Sequence, residues 1–343
     1  MNSPHYLIST DCRITVSATN AVIYDLTRET FREISPAQGQ FLLTLHKTKV
    51  EEWKECDEIR QNWIKEALQE EWIFPCPETF LSSFPGLDFT WKSPSKLSNA
   101  QVESEILSQH IVHELDLLGT KTIQVLLHSK WTVEYIRQLT SYFKDSTCLS
   151  IQFIMPYKEE ITNIDDLEGI YFENPRFLLA GFYSAPFDKV FKSKSSNLRI
   201  FFSKLPFTAL YVPTAGTKTS FVVNYESFRE AQQHNLFFNQ KLAIDKRGDI
   251  KNSISSSKSW GNIHSDNLSQ VVSTQGFQQL WRANKDQTLI CQDCPYRYMC
   301  TDERVPQLQD NGIWAHESDC TYDPYSGTWN SEHNTLKHQR SNG

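Results

Sequence analysis

Four thiols in this sequence form a pattern that is typical of a metal centre. Four of the eight cysteines in the 343-residue chain lie between positions 291 and 320, as Cys291-x2-Cys294-x5-Cys300 followed by Cys320. A C-x2-C step lets two thiolates reach one ion from a single turn, and the later cysteines can complete a tetrahedral set. Four thiolates suit Zn²⁺ or a cubane iron–sulfur cluster, and neither count nor spacing separates the two. The alternative, that the four thiols are unligated neighbours, is disfavoured by their clustering.

The other four cysteines occur in different surroundings. Cys12 and Cys148 lie in strand-like apolar stretches, where a free cysteine usually behaves as a small buried hydrophobe. Cys56 and Cys76 flank a predicted helix and its exit. No adjacent histidine marks any of them as an activated nucleophile, so no catalytic residue is predicted.

Two further patterns match functional motifs only in part. His110, His113 and Glu114 do not follow the HExxH order of zinc proteases, so packing or solvated histidines are the preferred interpretation. Gly216 and Lys218 lack the flanking frame of a phosphate-binding loop. We therefore predict no nucleotide site in this chain, and any use of ATP would belong to a partner.

Composition narrows the class of protein. The net charge of −7 and the pI of about 5.8 give no electrostatic footprint for nucleic acid. No apolar run approaches the roughly 20 residues of a membrane-spanning helix, so no membrane partner is expected. Residues 1–10 carry no secretory signal pattern. A cytoplasmic setting follows, in which clustered thiols are metal ligands more often than disulfides.

Secondary-structure patterns indicate the elements that must position the cysteines. Short strands, two helices and an aromatic wing predict a winged-helix-like module over residues 1–80, with Ser35 and Pro36 starting its first helix. Helix and strand patterns then alternate, beginning with a helix expected over 99–118. This alternation predicts βαβ units and a parallel sheet, open or closed into a partial barrel. Further on, Gly248 is expected to need a positive φ in a turn.

The C-terminal third of the chain resembles a known family. The segments 241–250, 260–263, 277–281 and 291–300 are similar to a SPASM domain, the C-terminal iron–sulfur extension of radical-SAM peptide-modifying enzymes. The ending 320–329 resembles the grasp-with-spasm peptide maturases, which are encoded beside an ATP-grasp ligase and a small precursor peptide. The resemblance extends over most of the chain and is most specific around the cysteines.

Departures from the family matter as much as the match. The chain has no C-x3-C-x2-C, so the resemblance implies a degenerate barrel with no S-adenosylmethionine site. One auxiliary cluster of the family is also expected to be absent, because Arg304 and the serine loop 253–257 occupy positions of its cysteines. The other auxiliary set is complete, which implies one [4Fe–4S] cluster, with Zn²⁺ as the alternative, on the following residues: Cys291, Cys294, Cys300 and Cys320.

The N-terminal module resembles the PqqD-like elements that bind leader peptides by adding them as a strand to an exposed sheet edge. A simple docking lobe is the alternative. Together, the resemblances imply an accessory peptide maturase of ribosomal peptide natural-product biosynthesis that binds a precursor peptide, assists an ATP-grasp ligase and completes no reaction alone. Two other functions stay open: a redox enzyme that uses the cluster to modify a peptide, and a zinc-stapled binding protein.

The predicted fold class is α/β, with three structured parts, a linker and a tail. They are a winged-helix-like (PqqD-like) peptide-recognition module at 1–80, a linker at 81–96, a degenerate radical-SAM-like partial α/β barrel at 97–240, a C-terminal cysteine-rich SPASM-like metal-binding domain at 241–330, and a flexible tail at 331–343.

Overall fold

A computed structural model of the chain describes residues 4–128, 131–159, 164–210 and 215–330. The predicted tail at 331–343 lies outside this range. The strands are β1 His5–Ile8, β2 Cys12–Val16, β3 Ala21–Asp25, β4 Thr30–Ile34, β5 Ile73–Cys76, β6 Asn99–Glu103, β7 Thr122–Leu126, β8 Ser150–Pro156, β9 Phe177–Tyr183, β10 Lys189–Lys192, β11 Arg199–Phe202, β12 Lys241–Ile244, β13 Ile250–Lys251, β14 Gln307–Leu308, β15 Trp314–Ala315, β16 Tyr322–Asp323 and β17 Thr328–Trp329. The helices are α1 Pro36–Leu45, α2 Glu58–Gln69, α3 Gln109–Leu117, α4 Val133–Ser141, α5 Ile164–Glu173, α6 Phe207–Leu210, α7 Tyr225–Ala231 and α8 Leu268–Val272.

The chain divides into two compact units that interleave along the sequence. The described residues within Met1–Trp91, Ala215–Leu236 and Ala283–His338 form unit 1. Those within Lys92–Thr214 and Phe237–Arg282 form unit 2. The segment 241–330 therefore contributes to both units, and the domain scheme expected from the sequence stays a prediction.

The N-terminal part of unit 1 is a small sheet covered by two helices. Strands β2, β3 and β4 pair antiparallel, with β3 in the centre and fully buried, while β1 pairs with β5. Helix α1 begins as predicted, because the Ser35 side chain accepts a hydrogen bond from the Gln38 amide at 3.1 Å and Pro36 occupies the first turn. The apolar residues Phe41, Leu42 and Leu45 of α1 join Ile23 of β3 in one core. The helices thus cover one face of the three-stranded sheet.

Unit 2 is built on the mostly parallel sheet that the alternating pattern predicts. Its strand order is β10-β11-β9-β8-β7-β6-β12-β13, parallel from β11 to β12 and antiparallel at both edges. A run of hydrogen-bonded side-chain amides from Gln101 to Gln124 to Gln152 crosses β6, β7 and β8 at equivalent positions. The opposite face of these strands packs on the helices through residues such as Val102, Val125 and Phe153. This is a mixed α/β fold, and closure into a partial barrel stays a prediction.

The helix expected over 99–118 is wrong in its first half. Residues Asn99–Glu103 form strand β6 between β7 and β12, and the helix α3 covers only Gln109–Leu117. Four of the five β6 residues are buried, since a central parallel strand is covered on both faces and so loses the alternation that marks exposed strands. Ser108 caps α3 by accepting from the Ile111 amide, which explains where the helix starts.

The turn predicted at Gly248 is confirmed, and Gly119 shares its backbone conformation. Gly119, which ends α3, has a φ of +76°, and Gly248, in the turn between β12 and β13, has a φ of +84°. Both values lie in the left-handed region that favours glycine. Among the described residues, no helix is long and apolar enough to cross a membrane.

Candidate metal centre

The first two cysteines of the set lie on one tight turn of unit 1. Cys291 opens a short 3₁₀ turn, and the Cys294 amide closes it by donating to the Cys291 carbonyl at 3.0 Å. Ile290, just before the turn, has a φ of +68°, which is a costly conformation for a β-branched residue. The turn is tied to β15, because the Leu289 amide donates to the Trp314 carbonyl at 2.8 Å. The C-x2-C step therefore forms the single turn that its spacing predicts.

The third and fourth cysteines are held by one segment that precedes α7. The main chain of Cys300 forms an isolated antiparallel β-bridge with Phe221. The hydroxyl of Thr321, the residue after Cys320, donates to the Gly216 carbonyl at 2.7 Å. The Cα of Gly216 faces the thiol so closely that a built Cβ would lie 2.2 Å from Cys300 Sγ. Only a residue without a side chain fits this position while the thiol points as it does. Gly216 thus belongs to the site although its sequence motif gave no functional prediction.

Burial and neighbouring thiols raise the pKa values of the cysteines in this set. Burial raises the pKa of Cys294 well above its usual range, and the neighbouring thiols of Cys300, Cys291 and Cys320 raise it further. Burial likewise raises the pKa of Cys300 to about 12, against the attraction of Lys285. Thiols in such surroundings stay protonated at neutral pH, whereas metal ligands are thiolates, so a bound ion would have to displace their protons.

Charged side chains are buried beside the thiols. Asp302 is 1% exposed and accepts from Arg304 through both carboxylate oxygens, at 3.0 and 2.6 Å. Lys285 Nζ lies 3.6 Å from the same carboxylate, and the side chains of Lys285 and Arg304 are each 7% exposed. His316 Nε2 lies 3.5 Å from Asp302, and its Nδ1 is buried without a hydrogen-bond partner. Burial lowers the pKa of His316 to about 4, against the attraction of Asp302, so the ring is neutral at pH 7.

A second, smaller donor group overlaps the cysteine set. The ligand atoms of Cys291, Asp302 and His316 lie within 4.8 Å of one another. This group shares only Cys291 with the set predicted from the sequence. Among the described residues, this mixed group is the one whose ligand atoms lie together, whereas the four-sulphur set stays a prediction from the sequence.

The donor chemistry of the four thiols fits a metal centre. Sulphur donors at this spacing are those that Zn²⁺ and iron–sulfur clusters take, and the glycine backbone at Gly216 leaves room beside one of them. The remaining cysteines, Cys12, Cys56, Cys76 and Cys148, are free thiols outside this group. The sequence analysis assigned no site role to Gly216, Lys285, Asp302 or His316. The charged run that directly follows Cys300 was a signal for Asp302 alone.

The cysteine turn packs on the free face of the N-terminal sheet within unit 1. Val22 and Tyr24 of β3 share a buried cluster with Tyr296, Met299 and Tyr322. The Tyr24 hydroxyl donates to the Pro295 carbonyl in the C-x2-C segment. Because successive β3 residues point to opposite faces, the helices cover one side of the sheet and the cysteine segment covers the other.

The outer strand of the same sheet borders a cleft. Among the described residues, no strand pairs with the outer edge of β4, whose Thr30, Arg32 and Glu33 are exposed. A cleft of about 320 Å³ runs from β4 to the C-terminal end of α2 and the residues after it, Gln69–Trp72. Its lining carries charges of both signs, with Arg32 3.9 Å from Glu70. An unpaired strand edge beside a helix end can accept an extended peptide as a further strand.

Two solved structures are similar to this chain at low identity. Streptococcus suis SuiB bound to S-adenosylmethionine is 12% identical with a TM-score of 0.30, and SuiB bound to precursor peptide SuiA is 10% identical with a TM-score of 0.28. Each alignment covers 86% of this chain and 94% of the other. No protein-family profile and no curated protein matches the chain.

Proposed function

We propose that this chain is an accessory peptide maturase of the grasp-with-spasm type in ribosomal peptide biosynthesis. It binds a precursor peptide along the outer edge of β4 and carries one metal centre on Cys291, Cys294, Cys300 and Cys320. A partner ATP-grasp ligase performs the bond-forming step. The observation that carries the proposal is the arrangement of unit 1, in which a sheet with an unpaired edge and a cleft on one face packs the cysteine turn on its other face.

In this role the metal centre holds the peptide-binding sheet in shape. Four thiolates around one ion would join the turn at Cys291–Cys294 to the segments that contain Cys300 and Cys320. These segments share a buried cluster with β3, so the cross-link supports the strand next to β4. A bound Zn²⁺ supplies only this cross-link, whereas an iron–sulfur cluster can also carry an electron. The cysteine ligands orient and shield the centre.

The metal is tested by anaerobic reconstitution with iron and sulfide, followed by iron, sulfide and zinc analysis. We expect one cluster per chain, and we expect Cys320→Ser to lose it. Cys56→Ser is the matched control, because Cys56 is a half-buried free thiol of the same unit. Stoichiometric zinc without sulfide would replace the iron–sulfur assignment and leave the four-thiol site in place. No metal of either kind, or equal metal in both variants, would refute the site.

The peptide site is tested with any small peptide that proves to be encoded beside this chain's gene and with a pair of proline variants. Successive residues of a strand point their N–H groups to opposite sides, so one of Arg32→Pro and Glu33→Pro removes an outward N–H and the other removes a bond to β3. We expect one variant to melt near the wild-type temperature yet bind the peptide at least about tenfold more weakly, the loss of roughly 1.4 kcal/mol. The other should mainly lose thermal stability. Wild-type affinity in both would refute binding at this edge.

The ligase partnership rests on the resemblance of residues 320–329. Co-purification with the ATP-grasp protein of the same gene cluster, in the presence of ATP and the precursor, tests it. We expect a mass change in the precursor only when both proteins are present. A mass change with this chain and a reductant alone would instead favour a redox enzyme.

A further inference from the structure

The charged group beside the cysteine set has more buried positive than negative charge. Lys285 and Arg304 are each 7% exposed, and both contact the single carboxylate of Asp302, which is 1% exposed. Ionised side chains are almost never buried unless their charge is balanced, because leaving water costs several kcal/mol per ion. Asp302 can balance only one of the two cations. One buried positive charge is therefore left over at this place.

The surplus charge lies beside the cysteine set. Both cations contact the carboxylate of Asp302. An oxygen of that carboxylate lies within 4.8 Å of the Cys291 sulphur. A dication bound by four thiolates has a net charge of −2, and so does a [4Fe–4S]²⁺ core bound by four thiolates. Either centre would more than offset the single positive charge that Asp302 leaves, so the buried group with its centre would carry a net charge of −1.

The rival donor set does not meet this condition. A divalent ion on Cys291, Asp302 and His316 would share the Asp302 carboxylate with Arg304, which donates to both of its oxygens and so places a second positive charge beside the ion. The ion would also lie beside Lys285, 3.6 Å from that carboxylate. Like charges at such distances repel strongly in a buried site. Asp302 therefore acts as the group that holds the two cations in place.

We propose that Lys285 and Arg304, oriented by Asp302, are the built counter-charge of a dianionic metal–tetrathiolate centre on the cysteine set. The inference rests on the proposed metal site and adds the residues that set its affinity and its reduction potential. It also gives Arg304 a role at a position where the family resemblance implies a cysteine. Arg304 thus replaces a cysteine of the auxiliary cluster that is expected to be absent and supplies positive charge to the centre on the cysteine set.

The test measures Zn²⁺ affinity of the full chain by competition with a chromophoric chelator at constant pH. We expect K285M and R304M each to weaken Zn²⁺ binding by about 10- to 100-fold, the usual effect of removing a group that supports metal ligands. The charge-conserving K285R should stay within a few-fold of wild type. K54M is the matched control, since Lys54 is an exposed lysine of the same unit, and it should bind as wild type does.

Each outcome decides between the charge, the packing and the site itself. If the wild-type chain takes up neither zinc nor an iron–sulfur cluster, the proposed metal site fails and this inference fails with it. If wild type binds Zn²⁺ and K285M and R304M bind it equally tightly, the site stands and the counter-charge is refuted. K285R as weak as K285M would point to packing and also refute it. Should K285M not fold, R304M against R304K decides by the same criteria.

A second measurement separates charge from packing in the cluster-loaded chain. Reduction adds a negative charge to the centre, and a nearby cation favours that state. We expect the midpoint potential of K285M to be more negative than that of wild type, and that of K285R to be nearly unchanged. An unchanged potential in K285M would refute the counter-charge.

Discussion

Replacing Gly216 with alanine tests the cysteine set by adding a single methyl group. The φ of Gly216 lies outside the left-handed region, so alanine can adopt this backbone without strain. The added Cβ would lie 2.2 Å from Cys300 Sγ, and its next neighbours would be at 3.7 and 3.8 Å, within ordinary contact. The substitution therefore disturbs one atom, the sulphur of a predicted ligand.

The size of the effect follows from that distance. Ordinary contact begins at 3.4 Å, so the sulphur would have to move by about 1.2 Å, the difference from 2.2 Å. Metal–ligand distances in proteins vary by only about 0.2 Å, so a displacement of this size removes the ligand. Structural zinc sites bind with about 10–16 kcal/mol, and one of four ligands is worth roughly 3 kcal/mol, or about a hundredfold in affinity. Rotation of a short side chain costs the fold less, about 1 kcal/mol.

The assay compares Zn²⁺ affinity with the thermal unfolding of the metal-free chain. We expect Gly216→Ala to lose about a hundredfold in affinity while its metal-free melting temperature changes by only a few degrees. Gly86→Ala is the control, because nothing lies within 4 Å of a Cβ built there. Zinc affinity in Gly216→Ala within threefold of wild type would show that Cys300 does not need its present position. The four-thiol site would then be refuted in this form.

Three further predictions concern unit 1. Tyr24→Phe should lower the free energy of unfolding by about 1–2 kcal/mol, because it leaves the buried Pro295 carbonyl without its donor. Tyr325→Phe, at a residue 59% exposed, is the control and should change this free energy little. Equal melting temperatures of the two variants would contradict the prediction. Ile290→Gly should raise the stability by about 1 kcal/mol by relieving a φ of +68° at a residue 44% exposed, and a lower melting temperature would disprove the strain. Burial raises the pKa of Cys12 from 9.0 to about 12, so above pH 9 the unfolded chain loses this proton first, and stability should fall by up to about 1.4 kcal/mol per pH unit between pH 9 and 12. Urea unfolding at pH 8 and 10.5 checks this, and Cys12→Ala must show a shallower loss than wild type for the prediction to hold.

The contact between the N-terminal sheet and the cysteine turn has a consequence for the proposed function. Tyr24 and Val22 of β3 reach the segment that follows the C-x2-C turn, and the β3 main chain pairs with β4. Any group that orders the turn therefore also stabilises the strand next to the proposed peptide edge. If the metal and the peptide favour the same ordered state, each should raise the affinity for the other by the same factor.

Local signals in the sequence were enough for several elements. The Ser35–Pro36 pair located the start of α1, since capping and the proline ring act within one turn. The alternation of helix and strand patterns predicted the parallel sheet of unit 2. The helix predicted from residue 99 was wrong at its start, where strand β6 lies instead. This strand is buried on both faces, and its polar residues, Gln101 and Glu103, form hydrogen bonds with neighbouring elements. Hydrophobic alternation marks a strand with one exposed face, and a central strand covered on both faces does not show it.

The sequence by itself determined the donor chemistry of this protein: the number of clustered thiols, their spacing, and the absence of C-x3-C-x2-C. These are properties of residue type and spacing, which are visible in the sequence without knowledge of the fold. Only the tertiary structure decided what surrounds the thiols. Gly216 precedes Cys300 by more than eighty positions, and its missing side chain is what lets the thiol point as it does. The electrostatic effect of Lys285, Asp302 and Arg304 likewise depends on their burial. In water the same three charges would be screened and would interact only weakly with a bound group.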